Sequence, residues 1–436
     1  MTPSARLQAA IELLGLMESE PCPADAVAGG YFRSRRYIGA KDRAAIAAMT
    51  YDILRHHARL GWWIEKLGAE PSPRAKMLSY LALVGKMSPE EISQLFSGKK
   101  FAPPAPGMEE GVFLKKLRGR TIDHPDMPEA VAVECPPWAE PKLRGLFGES
   151  FRAEMEAMLR PASLDLRVNT LKTSRGEILA ELEKRGLSAR ACRFSPYGVR
   201  VESRPNLGSM RLLREGLAEV QDEGSQIVSM LVDARPGMRV ADFCAGAGGK
   251  TLALAAHMQG KGRIVACDVI PGRLMRSAER FRRAGAHNIE TKLLRDENDP
   301  WIKRRKESFD RVLADVPCSG TGTWRRNPDQ RWRTWGQGLK EICALQGRIL
   351  NAAARLVKPG GRLIYATCSL LPEENERQIE TFLSTHEEFS LLPLEKVCPQ
   401  APYASGLYLS LSPYRHGTDG FFAAVMEKRR LAAIEP

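Results

Sequence analysis

Two of the chain's nine cysteines stand where a thiol can react. An apolar run at Phe309–Asp315 leads into Val316-Pro317-Cys318-Ser319, and a second at Arg362–Cys368 ends in Ala366-Thr367-Cys368 before Ser369. If both runs are parallel strands, their carboxyl ends line the crevice in which open α/β sheets bind ligands. A free thiol is only about a few per cent ionised at neutral pH, so a nucleophilic cysteine needs a lowered pKa or help in losing its proton. One reaction gives two thiols a purpose. Carbon 5 of cytosine is too weak a nucleophile to attack a methyl sulfonium until a thiolate has added at carbon 6. The adduct must then lose the carbon 5 proton and expel the sulfur, and a second group can assist that release. Asp315 is suited to pair with the cytosine amino group and ring nitrogen as charge develops. Cys22, Cys135, Cys192, Cys343 and Cys398 carry no functional expectation, since most cysteines are small buried hydrophobes.

Such chemistry needs a methyl donor, and Cys244-Ala245-Gly246-Ala247-Gly248-Gly249-Lys250-Thr251 offers a loop to hold one. Glycines between a strand and a helix let the backbone turn sharply and let a ligand approach the main chain. A phosphate-binding loop requires glycine where Cys244 stands; a dinucleotide fingerprint begun at Gly246 requires glycine or alanine where Thr251 stands. A loop for S-adenosylmethionine has no diphosphate to cradle and is freer. Asp268, ending the next run, can accept hydrogen bonds from both ribose hydroxyls, and Asp296, after the third, can approach an adenine amino group. Lys250 can supply positive charge nearby. Residues 244–250, Asp268, Arg273, Asp296 and Asp315 are the expected cofactor set. A nicotinamide-dependent oxidoreductase would explain Gly246, Gly248 and Asp268 but would leave Cys318 and Cys368 idle.

The elements that must position these residues form three stretches. Residues 1–134 read as helical, with Leu7, Ala10, Ile11 and Leu14 and then Ala45, Ile46, Met49, Ile53 and Leu54 at helical spacing. Pro103, Pro104 and Pro106 make Lys99 to Arg120 a loop, and Lys115, Lys116, Arg118 and Arg120 make it basic. Pro136-Pro137-Trp138 marks a boundary. Residues 135–215 suggest a small α/β module, helical at Glu177–Gly186 and extended at Gly198–Glu202. Residues 216–436 alternate short apolar runs with amphipathic helices, the mark of a parallel α/β sheet. Expected strands are Arg239–Cys244, Arg263–Asp268, Ile289–Leu294, Phe309–Asp315, Arg362–Cys368 and Phe421–Met426.

With 436 residues, 43% hydrophobic and 27% charged, the composition is globular and allows two or three domains. A net charge of +13 favours an anionic partner. Directly after the Pro-Cys motif, Trp324, Arg325, Arg326, Arg331, Trp332, Arg333 and Trp335 interleave indoles with guanidiniums, a pattern suited to unpaired bases and phosphates, with the arginines expected to bind and at least one tryptophan expected to pack in the core. Arg33, Arg35 and Arg36 with the 115–120 cluster could extend that track, whereas Lys303–Lys306 reads as a solvated face. No two cysteines are spaced as C-x-x-C, so zinc ribbons and thioredoxin-type sites are not expected. The odd, scattered cysteines, with no signal peptide or membrane span, lead to the expectation of a cytoplasmic protein.

Taken in order, these motifs resemble the RsmB-like branch of the RNA (cytosine-5-)-methyltransferase family. The resemblance rests on Arg167-Val168-Asn169-Thr170, Gln221-Asp222-Glu223-Gly224-Ser225-Gln226, the 244–250 loop, Asp315-Val316-Pro317-Cys318, Arg325-Arg326-Asn327-Pro328-Asp329, Thr367-Cys368-Ser369 with Pro372-Glu373-Glu374-Asn375, and Asp419-Gly420-Phe421-Phe422. It implies a Rossmann-like class I methyltransferase sheet in the C-terminal half, with S-adenosylmethionine on the 244–250 loop, Asp268, Asp296 and Asp315. It further implies that Cys368 attacks and that Cys318 helps release the product. DNA cytosine-5 methyltransferases attack with the Pro-Cys cysteine and carry Glu-Asn-Val, which does not occur here. The N-terminal part resembles a NusB-type RNA-binding domain through Asp42-Arg43 and Tyr51-Asp52-Ile53-Leu54-Arg55. Two positions depart from the family pattern: Ala247 replaces a usual proline and Val316 a usual alanine. The expected partner is RNA, 16S rRNA above all, reached through Arg167, Asn169, Arg325 and Arg326 by a monomer without a metal. A tRNA target and a non-catalytic RNA assembly factor are the alternatives.

Overall fold

The computed structural model describes residues 1–203, 207–332, 338–399 and 401–430. Its contacts divide the chain into one unit of Met1–Arg160 with Trp324–Gly336, and another of Pro161–Thr323 with Gln337–Pro436.

The first unit is helical throughout its described residues. Leu7, Ala10, Leu14 and Met17, three or four residues apart, face inward from the helix Pro3–Ser19, and Thr2 caps it by accepting from Ala5 N at 3.2 Å. The helix Ala40–Arg55 buries Ile46, Ile53 and Leu54 against the same core. Between Lys99 and Arg120 the prolines keep the chain irregular only as far as Gly107. Met108–Leu117 is a helix, because Glu110 turns back to accept from Gly107 N at 3.0 Å and closes its first turn.

The unit also runs past Pro136-Pro137-Trp138. Helices Glu140–Phe147 and Phe151–Leu159 belong to it, and what ties them in is the segment from Trp324. Arg331, 1% exposed, donates to Glu134 O at 3.0 Å and Met158 O at 2.9 Å, and Trp138 Nε1 donates to Arg331 O at 3.0 Å. Trp324 is fully buried against Trp138, and Trp332 stacks on His57. The segment read from sequence as an RNA track is thus largely interior in its described part. Arg333 and Trp335 lie outside the described residues.

The second unit carries two sheets. Strands β1 (Leu164–Val168), β2 (Ala189–Ala191), β3 (Gly198–Val201) and β4 (Ala218–Val220) form an antiparallel sheet in the order β2-β3-β1-β4. The helix Arg175–Lys184 joins β1 to β2, started by a reciprocal cap between Ser174 and Glu177. The main sheet contains β5 (Arg239–Asp242), β6 (Arg263–Asp268), β7 (Ile289–Leu293), β8 (Phe309–Asp315), β9 (Val357–Thr367), β10 (Phe389–Leu391), β11 (Tyr408–Leu411) and β12 (Phe421–Lys428). Its order is β10-β12-β9-β8-β5-β6-β7, with β11 pairing the same strand, β12, as β10 does. Strands β5 to β9 are parallel, while β12 runs antiparallel to β9. Both faces are covered, so β8 and β12 read as nearly continuous buried runs. The expected α/β class, with a helical N-terminal part and a small α/β module, is what the structure has. No helix among the described residues is long and apolar enough to cross a membrane.

Candidate active site

A cleft of about 810 Å³ opens at the carboxyl ends of β5, β6, β7 and β8. Residues 244–247, Gly249, Lys250, Asp268, Arg273, Asp296, Asp315 and Cys318 all contribute to its lining. The order β7-β6-β5-β8 brings together acids far apart in sequence, since each parallel strand delivers its last residue to the same edge.

The loop's shape has local causes. Gly248 has φ +79°, and a Cβ there would come within 2.5 Å of the Phe281 ring, so only glycine fits. Asp268 Oδ2 accepts from Gly246 N and Oδ1 from Ile270 N, both at 2.8 Å, which fixes its carboxylate at the turn. Arg280 Nη1 donates to Ala247 O at 2.6 Å while its other nitrogens hold Glu219. Sequence reading missed Arg280, whose guanidinium anchors the loop at the residue that replaces the family's proline.

Asp242 was missed as well. It is buried, its Oδ2 accepts from Thr251 Oγ1 at 2.7 Å, and its Oδ1 has no hydrogen-bond partner. Burial pushes it up to about 7, reinforced by the Asp315 charge and opposed by the Thr251 bond. An unpaired carboxylate oxygen on the cleft floor is what a bound group carrying a donor would satisfy. Apolar Val269, Ile270, Leu294, Leu345 and Ile349 line the same cleft. Apolar walls, a ring of acids and glycine-opened main chain fit S-adenosylmethionine: its adenine, its ribose diol, and its cationic sulfonium and ammonium.

Lys250 crosses the cleft to Asp315, Nζ to Oδ2 at 2.6 Å. Burial pulls the lysine down, but the Asp315 charge and hydrogen bond outweigh it and the net direction is up, with Cys368 adding to the pull.

The register of β8 on β9 pairs Asp315 with Ala366, so the two turns that follow leave the sheet side by side. Cys318 Sγ and Cys368 Sγ come to 3.2 Å. Both are half-buried; Cys318 lines the cleft, and Cys368 touches it through sulfur without itself lining the cleft. Hydrogen bonding to Cys368 and then burial push the Cys318 thiol well above its ordinary value, and either sulfur can donate in the contact between them. Gly322 and Gly420 meet backbone to backbone, with Gly420 N donating to Gly322 O at 2.8 Å; a Cβ on Gly322 would lie 2.4 Å from Gly420 O. That contact accounts for the glycine in Asp419-Gly420-Phe421-Phe422.

The residues expected to reach RNA are placed differently. Arg167 is 3% exposed and donates to Gln221 Oε1 at 2.6 Å; Asn169, also buried, donates to Gly216 O and Ala284 O at 2.8 Å. Arg167 Nε and the Asn169 amide tie β1 to the Gln221 segment and to the helix Pro271–Ala284, and their burial makes them scaffold rather than open contacts. Arg325 is buried and its carbonyl accepts from Arg55; Arg326 is half-buried. Arg33, Arg36, Lys115, Lys116, Arg118 and Arg120 are exposed, as is most of Lys303–Lys306.

This sheet order, a glycine turn after β5 and acids at successive strand ends define an S-adenosylmethionine-dependent methyltransferase. Comparison with known proteins narrows the class. Residues 229–427 match the family model "16S rRNA methyltransferase RsmB/F", and residues 135–207 match a ferredoxin-like domain described for RsmF/B-like methyltransferases. A probable ribosomal RNA small subunit methyltransferase B of Synechocystis is 32% identical, over 90% of this chain and 92% of its own. Among solved structures, PH0851 superposes with a TM-score of 0.80 at 30% identity, covering 98% of this chain and 99% of its own. A methyltransferase homologue from Pyrococcus horikoshii gives a TM-score of 0.59 at 30% identity, covering 69% and 97%. The chain belongs to the RsmB/F methyltransferase family.

Proposed function

We propose that this enzyme methylates carbon 5 of a cytosine in RNA, with 16S rRNA as the target, through a transient bond between Cys368 and carbon 6. The observation that carries this reading is the 3.2 Å approach of Cys318 and Cys368 beside the cofactor cleft. A methyl transfer to oxygen, or to an amino nitrogen already nucleophilic, would have no use for a thiol pair there. The relatives' names, which specify small-subunit ribosomal RNA, support the target.

The residues divide the work. The family resemblance assigns to Cys368 the addition to carbon 6, and Cys318 lies 3.2 Å away, close enough to assist release. Asp315 pairs with the cytosine amino group and ring nitrogen, and Lys250 holds that carboxylate in place. Bound S-adenosylmethionine supplies an electrophilic methyl group to the activated carbon 5. The Cys318 sulfur, as a thiolate, then takes the carbon 5 proton, and the electron pair left behind expels Cys368 from carbon 6 as a thiolate. A cytosine must be unstacked for sulfur to reach carbon 6, which costs about a few kcal/mol in a stem and less in a loop. The target is therefore single-stranded or partly unfolded RNA, met in the cytoplasm. Bisulfite sequencing of total RNA from cells with and without the gene tests both reaction and address. One protected cytosine in 16S rRNA that becomes convertible on deletion is expected; an unchanged map overturns the proposal.

A further inference from the structure

Each reactive cysteine is followed by a serine, Ser319 and Ser369, and one carboxylate serves both. Glu374 is fully buried and accepts from Ser319 N at 2.7 Å, from the Ser319 and Ser369 hydroxyls, and from Gln346 Nε2 at 2.9 Å. Gln346 also donates to Pro317 O at 3.0 Å, so carboxylate and amide together span the main chain on either side of Cys318. Glu374 is itself held. Tyr365 OH donates to its carbonyl at 2.6 Å, and the next residue, Asn375, accepts from Thr367 Oγ1 at 2.6 Å and donates to Ser369 O at 3.0 Å.

A buried carboxylate is costly unless its charge is compensated, and the usual compensation is a lysine or arginine. Among the described residues Glu374 has no such ion pair; its donors come from the two cysteine turns and from Gln346.

We propose that Glu374 is a positioning residue for the thiol pair: by holding Ser319 and Ser369 on one carboxylate it fixes the Cys318 and Cys368 turns against each other and sets the distance between the sulfurs. This role rests on the covalent reading above.

The test compares wild-type protein with Glu374→Ala, Glu374→Gln and the double variant Ser319→Ala/Ser369→Ala. Three quantities are read: the rate at which diamide joins Cys318 to Cys368, detected by mass spectrometry; cofactor affinity by calorimetry; and single-turnover methylation of 16S rRNA. Diamide takes the two thiol hydrogens as it is reduced to the hydrazine, leaving the disulfide. Glu374→Ala is expected to slow both cross-linking and single turnover by about 10²-fold, the scale of an ångström of misplacement, with cofactor affinity unchanged. Glu374→Gln, which keeps size and an acceptor oxygen, should restore cross-linking to within about tenfold of wild type. Folded Glu374→Ala that cross-links at the wild-type rate overturns the proposal. Should that variant fail to fold, the double serine variant decides, since wild-type cross-linking there overturns it equally. If wild-type enzyme methylates no cytosine, the covalent reading fails, while cross-linking still judges the clamp.

Discussion

Lys250 Nζ lies 2.6 Å from Asp315 Oδ2, so the last cation of the glycine turn is bound to the carboxylate that ends β8. The contact joins the cofactor loop to the turn carrying Cys318, two elements 65 residues apart. It also sets a positive charge among Asp242, Asp268 and Asp296 in that cleft.

Removing that charge while keeping side-chain bulk should expose its role. Lys250→Met leaves Asp315 without its cation beside two other acids. Turnover is expected to fall by about 10–10²-fold, the range for loss of one preorganised electrostatic partner, while the protein stays folded. Steady-state kinetics alongside circular dichroism make the measurement, and a wild-type kcat would reduce the pair to a structural link.

The two sulfurs should fail differently. On the proposed mechanism Cys368→Ala removes the attacking atom and is expected to abolish turnover while RNA still binds in a gel-shift assay. Cys318→Ala leaves attack intact and removes the group that assists release, so a protein–RNA adduct that survives denaturing electrophoresis should accumulate. Adduct formation by Cys368→Ala, with normal turnover by Cys318→Ala, would reverse the two assignments.

Asp242 gives a prediction in pH. Burial raises it to about 7 in the folded chain, whereas an unfolded aspartate ionises near about 4. The unfolded state therefore gives up its proton first as pH rises. The stability tied to this group is present in full below about pH 4 and is lost as pH climbs through about 7. Asp242→Asn cannot ionise, so its stability relative to wild type should improve between pH 5 and pH 8 by on the order of 1–3 kcal/mol. Urea unfolding at the two pH values makes the comparison, and a constant difference would show that Asp242 does not titrate in that range.

The helical unit should depend on a segment encoded after the Pro-Cys motif. Arg331→Ala strips donors from the buried carbonyls of Glu134 and Met158 and empties the space against Trp324. A loss of about 2–4 kcal/mol is expected from unpaired carbonyls and the cavity together. For the same reason, residues 1–160 expressed alone should show a broad, low-temperature transition, sharpened when a peptide of residues 324–336 is added. A cooperative melt of the fragment unaffected by the peptide would contradict this.

How much could be read beforehand differs from residue to residue. The bounds of β6 and β8 follow from their apolar runs, because a strand buried on both faces leaves a continuous signature. The helix Glu223–Leu231 and the edge strands β10 and β11 left no comparable pattern. Motif order pointed to the glycine loop, the strand-end acids and both cysteines. It also recorded Glu374 as part of Pro372-Glu373-Glu374-Asn375, but without a role, since the partners that explain it sit 55 and 5 residues away and meet only when β8 and β9 pair.

Sequence alone determined which chemistry is available: two thiols, a glycine turn and spaced carboxylates are covalent facts, legible without coordinates. Tertiary structure decided which polar groups face a ligand and which face the protein. A guanidinium has the same donors in a core as on a surface. Arg331, Arg167 and Asn169 became mortar because the elements packed around them bury them, and that packing is set by contacts distant along the chain.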